Sequence, residues 1–158
     1  MATLKELVLQ ACEDSWTTEW IKGTKNKDNC SGFVNAVCQA LCIPLKNANA
    51  DGIVGAIAGW TKVKDGVEAA QLAEKGTLVL AGLKSGDHTP KTTHGHVVVV
   101  ISGTLYRGKY PLCWGGSIGS YQSKGTKSVG EVWSTTDRNA VIYRAYTFVD
   151  VCAPVTEN

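Results

Sequence analysis

The sequence predicts an α+β fold in which N-terminal helices pack on an antiparallel β-sheet. The first half of the chain carries apolar residues at helical spacing, and the second half carries short apolar or β-branched runs separated by glycine-containing loops. Helices precede strands instead of alternating with them, which favours α+β over α/β. With 158 residues, 44% of them hydrophobic, the chain is long enough for one core, so we predict a single domain over residues 1–158.

Four helices are expected in the first half of the chain. The first begins near Leu4, and the second follows a polar loop rich in lysine and asparagine, with Asp28 or Asn29 as its N-cap and Pro44 as its stop. Two further helices are expected at residues 50–60 and 67–75. The second helix has an apolar stripe formed by Phe33, Val34, Val37, Cys38, Leu41 and Cys42.

The strand-like runs lie at residues 77–83, 96–101, 110–117 and 141–149. Residues 97–101 are apolar on both faces, so this run is expected to be a central strand covered by helices on at least one side. His96 then marks one end of a buried strand.

The six cysteines are too sparse for a disulfide scaffold, and no CxxC pair occurs. Cys38 and Cys42 lie on the stripe of the second helix, where free cysteine behaves as a small hydrophobic residue, and Cys12 lies on a similar stripe. Cys113 has no clear role, and Cys152 is expected to form a bridge only in an oxidising compartment.

The charge distribution argues against two classes of function. A net charge of +2, from 16 basic and 14 acidic residues spread along the chain, gives no basic tract of the kind that nucleic-acid-binding proteins show. Residues 1–16 contain Glu6, Glu13 and Asp14, so they are expected to be neither a secretory signal nor a membrane span. By itself the sequence therefore predicts a soluble, cytoplasmic protein without nucleic-acid binding or membrane insertion.

Cys30 and His96 are the candidate catalytic pair. A thiolate is the attacking species, and a helix N-terminus beside an imidazolium can hold cysteine as thiolate near neutral pH. The N–H groups of Cys30 and Ser31 have no partner in the first helical turn and can receive an oxyanion, and Gly32 leaves room for a substrate backbone. Either residue alone would more often be a packing residue. Together, after an accessible polar loop, they predict a nucleophile and its base.

The geometry of this pair depends on the strand that His96 opens. Side chains 96, 98 and 100 share one face, and if that face packs on the helix of Cys30, the imidazole reaches the sulfur. Residues 97–130 contain no Asp, Glu, Asn or His to orient the ring. A backbone carbonyl within residues 113–117, or else Gln122, remains for that role, and we favour the carbonyl. A neutral acceptor stabilises imidazolium weakly, so the ion pair is expected to depend on the helix dipole.

Zinc is an alternative to this cysteine site. His94 and His96 would project from one face of a strand, and His88 or Asp87 could complete a hydrolytic zinc site. However, the composition of residues 84–95 is typical of a mobile loop, so His88 and His94 are expected to be solvated. We therefore predict neither a metal nor another cofactor.

Several stretches closely resemble family 1 of the type VI secretion amidase effectors. The resemblance covers nearly the whole chain, in order, and lies in residues 11–16, 26–34, 95–103, 105–111 and 127–133. It implies a papain-like, NlpC-like fold and a bacterial toxin that cleaves peptidoglycan between γ-D-glutamate and meso-diaminopimelate. The family's nucleophile falls on Cys30 and its base on His96.

Other positions of the family pattern carry over in part. Asp28 and Asn29 match the loop before the nucleophile and, with Ser31, are expected to shape the oxyanion site. Some relatives carry a cysteine where this chain has Gly115, so the resemblance implies only a carbonyl role there. Leu7 stands where some relatives have the cysteine that pairs with the one matching Cys152. The loop of residues 84–95 is also longer than in relatives.

The resemblance also implies partners and a site of action. The substrate would be the peptidoglycan stem peptide, with contacts expected from Trp114, Ser117, Tyr110 and Lys109. Delivery through a type VI apparatus into a rival's periplasm needs no signal peptide, and a cognate immunity protein would block the groove. A wall-binding module without turnover is the non-enzymatic alternative, which the intact Cys30 and His96 disfavour.

Overall fold

A six-stranded antiparallel β-sheet lies at the centre of the structure, with strand order β1-β6-β2-β3-β4-β5. The computed structural model describes residues 2–148. The last residue of the predicted strand at 141–149 therefore lies outside the described part of the chain. The strands are β1 (Thr61–Val63), β2 (Leu78–Leu83), β3 (His96–Val100), β4 (Leu112–Gly115), β5 (Ser123–Ser128) and β6 (Ile142–Tyr146).

The four predicted helices are present. They are α1 (Leu4–Trp16), α2 (Cys30–Ala40), α3 (Ala50–Ala56) and α4 (Gly66–Glu74), and short helical turns lie at Asn26–Asp28, Ile57–Gly59, Ser85–Asp87 and, as α5, Val129–Val132. Within residues 2–148, no helix combines the length and the apolar character needed to cross a membrane.

The two edge strands were not predicted. β1 has three residues, and β5 has the sequence SKGTKS, in which the serines at both ends are buried and Lys124 and Thr126 are exposed. Edge strands are often short and polar, which limits pairing with other chains, so an apolar pattern does not reveal them.

The end of α2 differs from the prediction. The helix stops at Ala40, four residues before Pro44, because Cys42 adopts a left-handed φ of 53°. The N–H groups of Cys42 and Ile43 then bond back to the carbonyls of Gln39 and Cys38, at 3.0 and 2.9 Å. Cys42 is exposed, so its predicted place in the core is wrong. It is also disulfide-bonded.

The other cysteine predictions have mixed outcomes. Cys12 and Cys38 are buried, as predicted from their helical stripes. Cys113 is a free, buried thiol on β4. Cys152 lies outside the described residues.

Helices cover both faces of β3, which confirms it as a central strand. Val97 and Val99 belong to the core that includes α1, α2 and α3, whereas Val98 and Val100 belong to the core that includes α4 and α5. Since His96 alternates with Val97, its side chain is on the face of Val98 and Val100. The expectation that this face packs on the helix of Cys30 is therefore wrong.

Trp114 lies in the core on the α2 side of the sheet, with 5% of its surface exposed. Its ring stacks on Phe33 at 6.3 Å between centroids and meets the edge of Trp16 at 5.5 Å. This burial explains the strong apolar signal around α2 and β4, and it leaves Trp114 little surface for a substrate.

We expect Trp114→Phe to lower the free energy of unfolding by about 1–3 kcal/mol, because the smaller ring leaves a void between Trp16 and Phe33. Urea denaturation followed by circular dichroism measures this change. Trp60→Phe is the matched control, since Trp60 is half-buried. An equal loss in the two variants would contradict the packing role of Trp114.

Candidate active site

A cavity of about 510 Å³ lies at the end of the sheet where α2 and β3 both begin. Cys30 and His96, which the sequence places 66 positions apart, both line it. The remaining lining residues are Asp28, Asn29, Ser31, Asn49, Ala50, Asp51, His88, Thr92, Thr93, His94, Gly95, Gly116, Ser117, Ile118 and Tyr121.

Cys30 is the first residue of α2, and Asn29 is the N-cap, with its side chain accepting the Gly32 N–H at 3.1 Å. The Cys30 sulfur is 4.0 Å from the Gly95 carbonyl oxygen, directly before β3. Burial raises the pKa of the Cys30 thiol, while hydrogen bonds from the N–H groups of Val97, Ser31 and Cys30 itself oppose this rise. Burial is the stronger effect, so the free site favours the thiol.

His96 is 4% exposed and packs against the rings of Tyr121 and Trp133, at 4.8 and 5.1 Å between centroids. The pKa of His96 is lowered to about 3, first by burial and then by nearby His88, while a hydrogen bond with the Tyr121 backbone acts in the opposite direction. The Nε2 atom is buried without a well-formed hydrogen bond. The pair therefore rests as a neutral thiol and a neutral imidazole, and the expected ion pair is not favoured because burial penalises both charges.

The backbone group that interacts with His96 belongs to Tyr121, beyond the segment 113–117 in which we expected it. Gly115 lies within β4, and its α-carbon faces Val98 and does not line the cavity. Gln122 is engaged elsewhere, since its Nε2 donates to the Lys27 carbonyl at 2.7 Å. A backbone acceptor is thus present, but at a loop position that strand patterns do not reveal.

The loop before Cys30 is held by the buried side chain of Asn26, which sequence reasoning did not single out. Its Nδ2 donates to the Ser15 carbonyl at 3.0 Å and to the Thr18 hydroxyl at 3.1 Å, and its Oδ1 accepts the Trp20 N–H at 2.9 Å. The β4–β5 loop then docks on this segment, because the Ser117 N–H donates to the Lys27 carbonyl at 2.8 Å.

The predicted site residues fall into two groups. Asp28, Asn29, Ser31 and Ser117 line the cavity with Cys30 and His96. Trp114 is in the core, and Lys109 and Tyr110 line a different cavity, so the structure does not bring these three together with Cys30.

The loop of residues 84–95 is more ordered in its contacts than its composition indicates. His88 is 4% exposed, and its Nδ1 is 2.9 Å from the Lys84 carbonyl, so the prediction of a solvated His88 is wrong, whereas His94 is exposed. Asp51 accepts the Ser85 N–H at 2.8 Å, which fixes the start of this loop. Only the tertiary structure shows the Asp51 anchor, because Asp51 and Ser85 are 34 positions apart in the sequence.

The histidines of this loop do not support the zinc alternative. Across residues 2–148, no group of three histidine, cysteine, aspartate or glutamate side chains is arranged to hold a metal ion. The acidic side chains of the cavity are Asp28 and Asp51, and no lysine or arginine lines it. Chemically, the site combines a helix-terminal thiol, backbone donors around the sulfur and a neutral buried imidazole, which is the set needed for nucleophilic acyl transfer.

Gly116 forms the contact between the β4–β5 loop and the loop before Cys30. A methyl group at this position would collide with the Asn26 carbonyl oxygen and lie 2.8 Å from that of Asn29. We expect Gly116→Ala to lower the free energy of unfolding by about 1–3 kcal/mol, measured by thermal melting. Gly119→Ala is the control, because nothing lies within 4 Å of its added methyl, and equal melting of both variants would refute this contact.

Burial of neutral His96 makes stability depend on pH. The pKa is about 3 in the folded chain against 6.5 for the exposed side chain, so the unfolded state binds the extra proton between these values. Stability is then lost as pH falls from about 6.5 towards 3, by up to about 1.4 kcal/mol per pH unit. We expect His96→Gln to show a shallower fall in urea unfolding over this window, and an unchanged slope would contradict the burial argument.

Comparison with known proteins agrees with this chemistry. No protein-family model matches the chain. The chain is 48% identical over 157 residues to the peptidoglycan amidase Tse1 of Pseudomonas aeruginosa PAO1, and the alignment covers 98% of each protein. An identity of this size over nearly the full length of both chains shows common descent, and the chain therefore belongs to family 1 of the type VI secretion amidase effectors.

Proposed function

We propose that this protein is an antibacterial peptidoglycan amidase, a cysteine DL-endopeptidase that cleaves the bond between γ-D-glutamate and meso-diaminopimelate. The observation that carries the proposal is the cavity shared by Cys30 and His96, with the sulfur at the start of α2. Kinship with a peptidoglycan amidase over 98% of the chain supports the substrate class.

The first half of the reaction is acylation of Cys30. As the sulfur attacks the γ-D-glutamyl carbonyl, the thiol proton passes to His96 and a carbon–sulfur bond forms. The N–H groups of Cys30 and Ser31, which already face the sulfur, hold the oxyanion. His96 then gives its proton to the leaving amine of diaminopimelate as the carbon–nitrogen bond breaks.

The second half is hydrolysis of the thioester. His96 takes a proton from water, the hydroxide attacks the thioester carbonyl, and the Cys30 sulfur leaves and is reprotonated. Because both groups rest neutral, proton transfer accompanies attack instead of preceding it. Asp28, Asn29 and Ser117 border this site and are positioned for contacts with the peptide.

The cellular part of the proposal follows from the family. The protein would be made in the producer's cytoplasm, delivered by the type VI apparatus into a recipient's periplasm, and neutralised by a cognate immunity protein at the mouth of the cavity. A disulfide at Cys42 is compatible with the oxidising periplasm.

The proposed activity is tested by digesting diaminopimelate-type peptidoglycan with the unmodified protein, Cys30→Ala and His96→Ala. Mass spectrometry identifies the products, and a parallel set contains a chelator. We expect new γ-D-glutamyl and diaminopimelate ends from the unmodified protein, a loss of at least about 10³-fold in both variants, and no effect of the chelator.

Other outcomes would replace this proposal. Inhibition by the chelator would favour metal-dependent hydrolysis, and binding to sacculi without cleavage would favour a wall-binding module. Circular dichroism of both variants controls for misfolding, which matters most for His96 because it is buried.

A further inference from the structure

A second cavity, of about 530 Å³, shares no lining residue with the cavity of Cys30 and His96. It lies where β1 and the start of β6 meet the N-terminal end of α4. Its charged lining residues are Lys62, Lys64, Asp65, Lys109, Arg138 and Arg144. Asp65 is occupied as the N-cap of α4 and accepts the Glu68 N–H at 2.9 Å.

The positive charges of this basic cavity are not neutralised within the described chain. Between residues 2 and 148, the salt bridge that forms joins Lys5 to Glu74, and neither residue lines the cavity. The sheet register also places Lys62 directly opposite Arg144. Like charges facing each other across two strands destabilise a sheet, so this arrangement favours an anion between or beside them.

The two arginines hold unmet donors inside the protein. The Nε atoms of Arg138 and Arg144 are buried and have no hydrogen-bond partner. An Arg138 terminal nitrogen donates to the Gly130 carbonyl at 3.4 Å, and its guanidinium lies 4.7 Å from the centre of the Tyr110 ring. An Arg144 terminal nitrogen donates to the Tyr143 carbonyl at 2.9 Å. These contacts fix both guanidinium groups while leaving donors unused.

Protection of the sheet edge accounts for part of this charge only. Lysines on an edge strand such as β1 discourage pairing with other chains, which explains exposed Lys62 and Lys64. It does not explain buried guanidinium donors, because those do not face a neighbouring chain. A planar guanidinium matches the two oxygens of a carboxylate, so the two arginines that line this cavity suit an anionic ligand.

We propose that this basic cavity is a docking site for free carboxylates of peptidoglycan stem peptides other than the peptide being cleaved. The inference rests on the proposed function, since it assigns the cavity to the same polymer. Stem peptides repeat along the polymer, so one can occupy the basic cavity while another enters the cavity of Cys30. Binding at two points raises the effective concentration of the scissile bond without changing the chemistry at Cys30.

The test uses the full chain with Cys30→Ala, so that sacculi stay intact, and measures retention by co-sedimentation over a series of salt concentrations. Lys62→Gln with Lys64→Gln removes two exposed charges of the basic cavity. Lys22→Gln with Lys46→Gln is the matched control, since these exposed lysines lie outside both cavities and the net charge change is equal. Sacculi with amidated carboxylates and vesicles containing an anionic phospholipid are the other arms.

We expect the Lys62/Lys64 variant to bind sacculi about tenfold more weakly and with a smaller salt dependence, and the control to change less than about twofold. The Cys30→Ala protein with all its lysines intact should bind amidated sacculi as weakly as the Lys62/Lys64 variant binds untreated sacculi. Equal binding by variant and control, or undiminished binding to amidated sacculi, would overturn the inference. Preferential retention on the vesicles would overturn it in favour of a phosphate ligand.

A second readout separates this inference from the proposed function. With Cys30 restored, the Lys62/Lys64 variant should cleave intact sacculi more slowly but cleave a short soluble stem peptide at the unmodified rate. If the unmodified protein cleaves neither substrate, the proposed function fails. If it cleaves both and the variant matches it on sacculi, the docking site alone fails.

Discussion

The buried side chain of Asn26 is the interaction on which the geometry of the site depends. It joins the end of α1 to the loop before Cys30 through the Ser15 carbonyl, the Thr18 hydroxyl and the Trp20 N–H. Because the β4–β5 loop packs directly against this segment, Asn26 also sets the far wall of the cavity. The side-chain amide of Asn26 is buried and its hydrogen bonds are formed only in this loop conformation. Another conformation would leave buried polar atoms unpaired, which stabilises the observed one.

Cys30 and His96 come to one cavity around the end of the sheet. α2 packs on the face of Val97 and Val99, while His96 is on the opposite face with Val98. The two side chains share a cavity because α2 begins where β3 begins, with the Cys30 sulfur beside the Gly95 carbonyl. The proposed nucleophile and base thus come from different layers of the fold and meet the cavity at the same end of the sheet.

The sequence predicted the fold class, the four helices and the central strand because each has a strong apolar period that the core uses. It did not predict β1 or β5, whose polar edge sequences carry no such period, or the left-handed residue Cys42 that ends α2. Cys30 could be selected as a candidate site residue from its place at a helix start, and it lines the cavity. The positions of His88 and Tyr121 near His96 depend on loop conformations, and tertiary hydrogen bonds such as that from the Thr89 N–H to Asp137 hold these loops without a local sequence pattern.

The neutral resting state of Cys30 and His96 bears on how the protein survives oxidising surroundings. Peroxides and disulfides react with thiolates far faster than with thiols, so a buried sulfur that keeps its proton resists conversion to sulfenic acid or a mixed disulfide. Two other buried thiols share this resistance, because burial raises the pKa of Cys38 and of Cys113 to about 12. The thiols of Cys30, Cys38 and Cys113 are therefore expected to react slowly with peroxides.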